Sequence, residues 1–75
     1  MADLSLSGIR RLAKKSGAER ISQDALLALR DVAEKFILKI SSMATELANH
    51  ANRKTVQKED VVKATKMIFE SLKLI

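Results

Sequence analysis

Two short basic segments carry the side chains best suited to chemistry in this 75-residue chain. One covers residues 17–22 and contains Arg20, and the other covers residues 52–60 and contains Arg53 and Lys54. They lie at the two ends of a single long apolar-periodic stretch. Turn-forming segments of this kind present backbone N–H donors beside cations, and both groups bind phosphate well. Their positions predict a surface for two stretches of phosphate backbone, about one long helix apart.

The overall charge points in the same direction. The chain has 14 Lys and Arg against 9 Asp and Glu, which gives a net charge of +5 and a pI near 9.9. A basic balance in so small a chain favours a polyanionic partner. Many small soluble proteins are basic for no special reason, so charge alone leaves both interpretations open.

Composition limits the other classes of function. The chain has no Cys and one His, so we expect no disulfide, no metal and no cofactor. No apolar run approaches the roughly 18 residues of a membrane span, and the first residues lack the layout of a signal peptide. We therefore expect a soluble cytoplasmic protein with no membrane partner. No clustered nucleophile, base and orienting group is visible, which argues against an enzyme or a small-molecule substrate.

The periodicity predicts three helices in one all-α domain covering residues 1–75. The first covers about residues 4–15, with Ser5 or Ser7 as alternative N-caps and Gly17 as the stop. Its short apolar stripe contains Ile9, Leu12 and Ala13. The second runs from Gln23 to His50 after the N-cap Ser22. The third follows the turn at residues 52–56, with Thr55 as its predicted N-cap and Glu59 and Asp60 in its first turn. Its predicted apolar stripe contains Val61, Ala64, Ile68, Leu72 and Ile75.

The long middle helix is apolar on more than one side. From Gln23 to His50 it has 28 residues, a length of roughly 42 Å at 1.5 Å per residue. One stripe contains Leu26, Leu29, Ala33, Phe36, Ile40, Ala44, Leu47 and Ala51, and a second contains Ala25, Val32, Ile37 and Leu38. A short helix on each flank cannot cover so long a rod, whereas a second copy of the chain can. The pattern predicts an obligate dimer with a shared core.

The order of a short helix, a loop, a very long helix, a loop and a short helix is the layout of the histone fold. The loops sharpen this resemblance. Residues 17–22, Gly-Ala-Glu-Arg-Ile-Ser, resemble the first loop of archaeal histones, and residues 49–56, Asn-His-Ala-Asn-Arg-Lys-Thr-Val, resemble the second. The likeness covers about residues 8–69 without a gap. It implies a handshake homodimer, in which the first loop of one copy lies beside the second loop of the other.

The resemblance also implies an architectural role at the chromosome or nucleoid, in which double-stranded DNA is bound through its backbone and bent, wrapped or compacted. The implied DNA contacts are Arg11, Lys14, Arg20, Ile21, Ser22, Lys54, Thr55 and Lys58. Arg20 would point into or along the minor groove, held by Thr55 of the partner subunit, and Lys54 would bind phosphate. Ile21 and Ser22 would contribute backbone N–H groups. Arg53 and Asp60 would form an ion pair that clamps the second loop. For each cation the alternative is a solvated basic surface.

Larger assemblies are predicted from departures from the family pattern. In the family's usual contact between dimers, around Leu47, His50 and Asp60, Lys63 stands where a Leu is usual. The apolar tail, which contains Phe69, Leu72, Leu74 and Ile75, extends past the usual end of the third helix. We therefore expect a homotetramer built through the third helices. The competing hypothesis is a histone-fold protein-interaction subunit of a transcription-related complex, for which acidic or neutral loops would be expected.

Overall fold

The computed structural model describes residues 3–73, which form three helices joined by two loops. The helices are α1 (Leu6–Lys15), α2 (Gln23–His50) and α3 (Lys58–Lys73). The predicted all-α class and the bounds of the long helix are confirmed, and no strand occurs within the described residues. Because Ser5 is the N-cap of α1, that helix begins two residues later than predicted.

Capping residues set the start and the end of α1. The Ser5 hydroxyl oxygen accepts a hydrogen bond from the Gly8 N–H at 3.2 Å. At the other end, the Gly17 N–H donates to the Lys14 carbonyl and the Ala18 N–H donates to the Ala13 carbonyl. These two bonds make a Schellman motif, which needs a left-handed residue just past the helix. Gly17 fills that position with φ +110°.

The ends of α2 follow the same rules. The Ser22 hydroxyl accepts a hydrogen bond from the Ala25 N–H at 3.1 Å, which confirms its predicted role as N-cap. Asn52 lies just past the other end with φ +59°. The Asn52 N–H donates to the Asn49 carbonyl, and the Arg53 N–H donates to the Ala48 carbonyl at 2.9 Å. Asparagine tolerates this left-handed conformation better than most residues with a side chain.

The third helix differs from prediction in its start and in its buried side. It begins at Lys58, so Thr55 lies too far ahead to be its N-cap, and the Asp60 carboxylate caps the first turn instead by accepting from the Gln57 N–H at 2.8 Å. The predicted Ala64 and Ile68 are buried, but Val61 and Leu72 are exposed, and Asp60 is buried instead. The buried stripe therefore includes a carboxylate that the apolar pattern alone excluded.

The chain divides into two compact units, Met1–Phe36 and Ile37–Ile75, with the boundary inside α2. In the first unit Leu26 is fully buried. In the second unit the buried apolar residues that the structure describes are Ala44, Ala48, Ala64 and Ile68. Most of these are small, so each unit has a thin core.

Large apolar side chains remain exposed in both units. Leu38 is 71% exposed, Leu12 is 64% exposed and Val32 is 60% exposed. Two of these, Val32 and Leu38, belong to the second predicted stripe of the long helix. One chain does not cover that stripe. Among residues 3–73, no helix is long and apolar enough to cross a membrane.

Candidate nucleic-acid interface

A bidentate ion pair closes the second loop. The two terminal nitrogens of Arg53 donate to the two carboxylate oxygens of Asp60, each at 2.8 Å. One of these nitrogens also donates to the Thr55 carbonyl at 3.2 Å. Paired guanidinium and carboxylate groups fix orientation as well as distance. The structure therefore brings Arg53 and Asp60 together in the arrangement that the resemblance implies, and the pair ties the loop to the first turn of α3.

The Asp60 carboxylate is the buried member of this ion pair. Asp60 is only 4% exposed. The Arg53 guanidinium, together with the Gln57 N–H, lowers the pKa of the Asp60 carboxyl to about 2. The same hydrogen bond from Arg53 to Asp60 raises the pKa of the arginine. Both groups therefore remain charged across the physiological pH range.

Two neighbouring cations of the second loop differ in exposure and in bonding. Arg53 is half-buried and bound within the loop, whereas Lys54 is exposed and has no ion pair within the described residues. Thr55 and Lys58 are also exposed. Lys58 is the first residue of α3, where a cation opposes the helix dipole. Lys54 and Lys58 are thus free to neutralise an external anion, while Arg53 is not.

The first loop presents one cation beside a helix start. Arg20 is exposed and makes no ion pair within the described part of the chain. Ser22 is exposed and caps α2, and Ile21 is half-buried. The Schellman motif at Gly17 holds the beginning of this loop. The loop therefore combines a left-handed turn, an exposed guanidinium and the N-terminal end of a long helix.

Helix α1 adds an exposed basic surface. Arg10, Arg11, Lys14 and Lys15 are all exposed. Ile9 and Ala13, which form its predicted apolar stripe together with Leu12, are half-buried, but Leu12 itself is exposed. Lys14 and Lys15 lie in the last turn, where cations favour the helix dipole. Their position is therefore explained by the helix itself as well as by an anionic partner.

The residues predicted to join dimers lie in the second unit. Leu47 is half-buried, and His50, the last residue of α2, is exposed. Lys63 is exposed on α3. Phe69 and Leu72 are 49% and 53% exposed. Leu74 and Ile75 lie outside the described residues. Among residues 3–73, no group of three His, Cys, Asp or Glu is placed to hold a metal ion.

Two structural roles were missed by the sequence analysis. Asn52 holds the left-handed position that ends α2, and an asparagine just past a long helix is a usable signal for it. The Gln57 N–H bond to Asp60 forms half of a capping box, in which the third helical residue reaches back to the N-cap. An acidic residue three positions after Gln57 was the available signal.

Comparisons with known proteins agree with this architecture. Residues 2–65 match the family described as histone-like transcription factor (CBF/NF-Y) and archaeal histone. The chain is 48% identical to one of the subunits of archaeal histone HAN1 from Thermococcus zilligii over 66 residues, which cover 88% of this chain and 98% of that protein. It is 41% identical over 61 residues to "Probable archaeal histone 3" of Methanocaldococcus jannaschii, covering 81% of this chain and 91% of that protein.

The family match spans most of the chain, including both loops and the start of α3. Both named relatives are archaeal histones, so the comparisons give no support to the alternative of a role within a transcription complex. The chain therefore belongs to the family of histone-like transcription factors and archaeal histones, and it is an architectural DNA-binding histone.

Proposed function

We propose that this histone binds the backbone of double-stranded DNA through its two loops and α1. The main support for this proposal is that Arg53 is bound to Asp60, whereas its neighbour Lys54 is exposed. A loop whose shape is fixed by an internal ion pair can present its remaining cation without further ordering. Pre-ordered contacts of this kind reduce the entropic cost of binding.

The proposed ligands share exposure and access to the phosphate backbone. They are the side chains of Arg11, Lys14, Arg20, Lys54, Thr55 and Lys58, with backbone N–H groups at Ile21 and Ser22. Cations on phosphates release counterions, so affinity falls steeply with salt and varies little with base sequence. The role is architectural, with no catalytic step, and places the protein at the chromosome.

Salt and sequence dependence test this proposal directly. We expect the affinity for duplexes of equal length and different sequence to agree closely, and to weaken together as salt rises. Fluorescence anisotropy over a salt series measures both effects. A strong preference for one short sequence that persists unchanged at high salt would refute backbone binding.

The functional unit that we propose is a handshake homodimer. Large apolar side chains of α2 are exposed in both units, Val32 in the first and Ile37 and Leu38 in the second, and a second copy of the chain would cover them. Covering apolar area contributes about 25 cal/mol per Å². Because each compact unit buries few large side chains, we expect no stable folded monomer. As the protein is diluted, circular dichroism should show loss of helicity together with the loss of dimer mass that sedimentation measures.

We further propose a homotetramer that joins two dimers through α3. Val62 and Phe69 are seven residues apart on that helix, and Leu72 follows on the same side; all three are exposed. A second dimer is the occupant that fits, because a two-fold axis would set this apolar stripe against its own copy. The alternative contact around Leu47 and His50 would place Lys63 close to its symmetry mate, where like charges repel.

A pair of matched substitutions tests the tetramer. Phe69→Lys should leave a dimer that binds DNA but no longer forms the larger species. Met67→Lys is the control, because Met67 is 43% exposed on another side of the same helix. Removal of residues 72–75 should act like Phe69→Lys. Light scattering with and without a short duplex gives the masses, and a parent that is dimeric under all these conditions would refute the tetramer.

A further inference from the structure

The segment before α1 is tied to the middle of α2. One carboxylate oxygen of Glu34 accepts the Asp3 N–H at 2.5 Å and the Leu4 N–H at 3.0 Å. These donors precede the acceptor by about thirty residues, so the bonds join distant parts of the first compact unit. Hydrogen bonds to an ionised acceptor are roughly twice as strong as neutral ones.

The ionised form of Glu34 is favoured by this arrangement. The Leu4 N–H and the Asp3 N–H, together with the positive charge of Arg30, lower the pKa of the Glu34 carboxyl. Its negative charge is therefore present throughout the neutral range and is directed at two backbone donors. On the same helix, Asp31 uses its carboxylate differently, in an exposed ion pair with Lys35 at 3.0 Å.

The anchored segment leads directly into the start of α1. Ser5, the residue after Leu4, is the N-cap whose hydroxyl accepts the Gly8 N–H. Glu34, the two preceding N–H groups and this cap thus form a continuous connection from α2 to the first turn of α1. Because α1 carries Arg11 and other exposed cations, the connection links the helix that bears those cations to the first half of α2.

We propose that Glu34 is a positioning residue for DNA binding, which holds the start of α1 in its binding orientation through the Asp3 and Leu4 amides. The inference rests on the proposed binding of DNA by α1 and the loops. The proposed anchor and simple electrostatics predict opposite changes in DNA affinity when the charge of Glu34 is removed. A carboxylate near a DNA-binding surface should repel phosphate, so removing its charge would ordinarily strengthen binding. Removing an anchor should weaken it, because a smaller fraction of the protein is competent to bind.

Glu34→Gln and Asp31→Asn form a matched pair, since each removes one negative charge from the same stretch of α2. We expect Asp31→Asn to bind duplex DNA as well as the parent or better. Glu34→Gln should bind at least about threefold more weakly than Asp31→Asn. Amide hydrogen exchange should show protection of Asp3 and Leu4 reduced by about tenfold in Glu34→Gln alone.

A second variant removes one of the hydrogen-bond donors to Glu34. Leu4→Pro removes one of the two N–H groups without changing net charge, and it should also weaken DNA binding. Equal affinities for Glu34→Gln and Asp31→Asn, or retained protection of both amides in Glu34→Gln, would overturn the inference while leaving the proposed function intact. A parent protein that fails to bind duplex DNA would overturn the proposed function itself, and the inference with it.

Discussion

Replacing Lys54 with alanine removes the exposed cation of the second loop while leaving the loop's internal ion pair in place. The Arg53 guanidinium remains bound to the Asp60 carboxylate and to the Thr55 carbonyl, and none of these contacts involves the lysine side chain. We therefore expect helicity, melting temperature and dimer mass to match the parent. The change should act on DNA binding alone.

The expected magnitude follows from counterion release. In a two-chain assembly the substitution removes two cations. If each neutralises one phosphate, the slope of log affinity against log salt becomes shallower by about 1.8, at about 0.9 per phosphate. Between about 50 mM and about 200 mM salt, the parent should then lose about tenfold more affinity than the variant. The five exposed cations proposed per chain, ten in a dimer, set an upper limit of about 9 on the parent's slope.

Lys39→Ala is the matched control, because Lys39 is an exposed lysine in α2 outside both loops. It lowers net charge by the same amount. Anisotropy titrations of one duplex at four or more salt concentrations give the three slopes. If the parent and Lys54→Ala have equal slopes, or if both variants reduce the slope equally, then Lys54 contributes to DNA binding only through the net charge of the protein. The assignment of Lys54 to a phosphate contact would then be wrong.

Three further results are expected. Gly17→Ala should lower the melting temperature by roughly 4–8 °C. Left-handed backbone costs alanine about 1 kcal/mol in each of two chains, and a unit of about 150 residues loses about 2–4 °C per kcal/mol. Arg20→Ala should weaken DNA binding without changing helicity by circular dichroism. Asp60→Asn should have a lower melting temperature than the parent. Because the pKa of Asp60 falls from 3.8 to about 2 on folding, this difference in melting temperature should be complete above pH 4 and disappear toward pH 2. A constant difference in melting temperature over that range would contradict the role of the Arg53 pair.

Much of the local structure was predictable from the sequence. The bounds of α2, its N-cap Ser22 and the stop at Gly17 were predicted from signals within a few residues of each site. Helix period, cap type and left-handed stops depend on short-range sterics and hydrogen bonds, so they can be inferred without knowing the fold. The sequences of the two loops, compared with those of archaeal histones, also supplied the family.

Two features of α3, its start and its buried positions, were predicted only in part. Thr55 was predicted to cap α3, yet the Asp60 carboxylate caps that helix because it is already oriented by Arg53. Asp60 lies on the buried side of α3 together with the predicted Ala64 and Ile68, while Val61 is exposed. A burial pattern inferred from apolar residues alone cannot anticipate a carboxylate that is buried with its partner.

The sequence by itself determined the bounds of α2, which loops are basic and which family the chain joins. The tertiary structure decided which cations are available. Arg53 and Lys54 are adjacent and equally charged in the sequence, but one is bound to Asp60 and the other is exposed. Only the tertiary structure connected Glu34 to residues 3 and 4. The physical reason is that charge and helix period are local properties, whereas the availability of a charge depends on partners that folding brings from elsewhere in the chain.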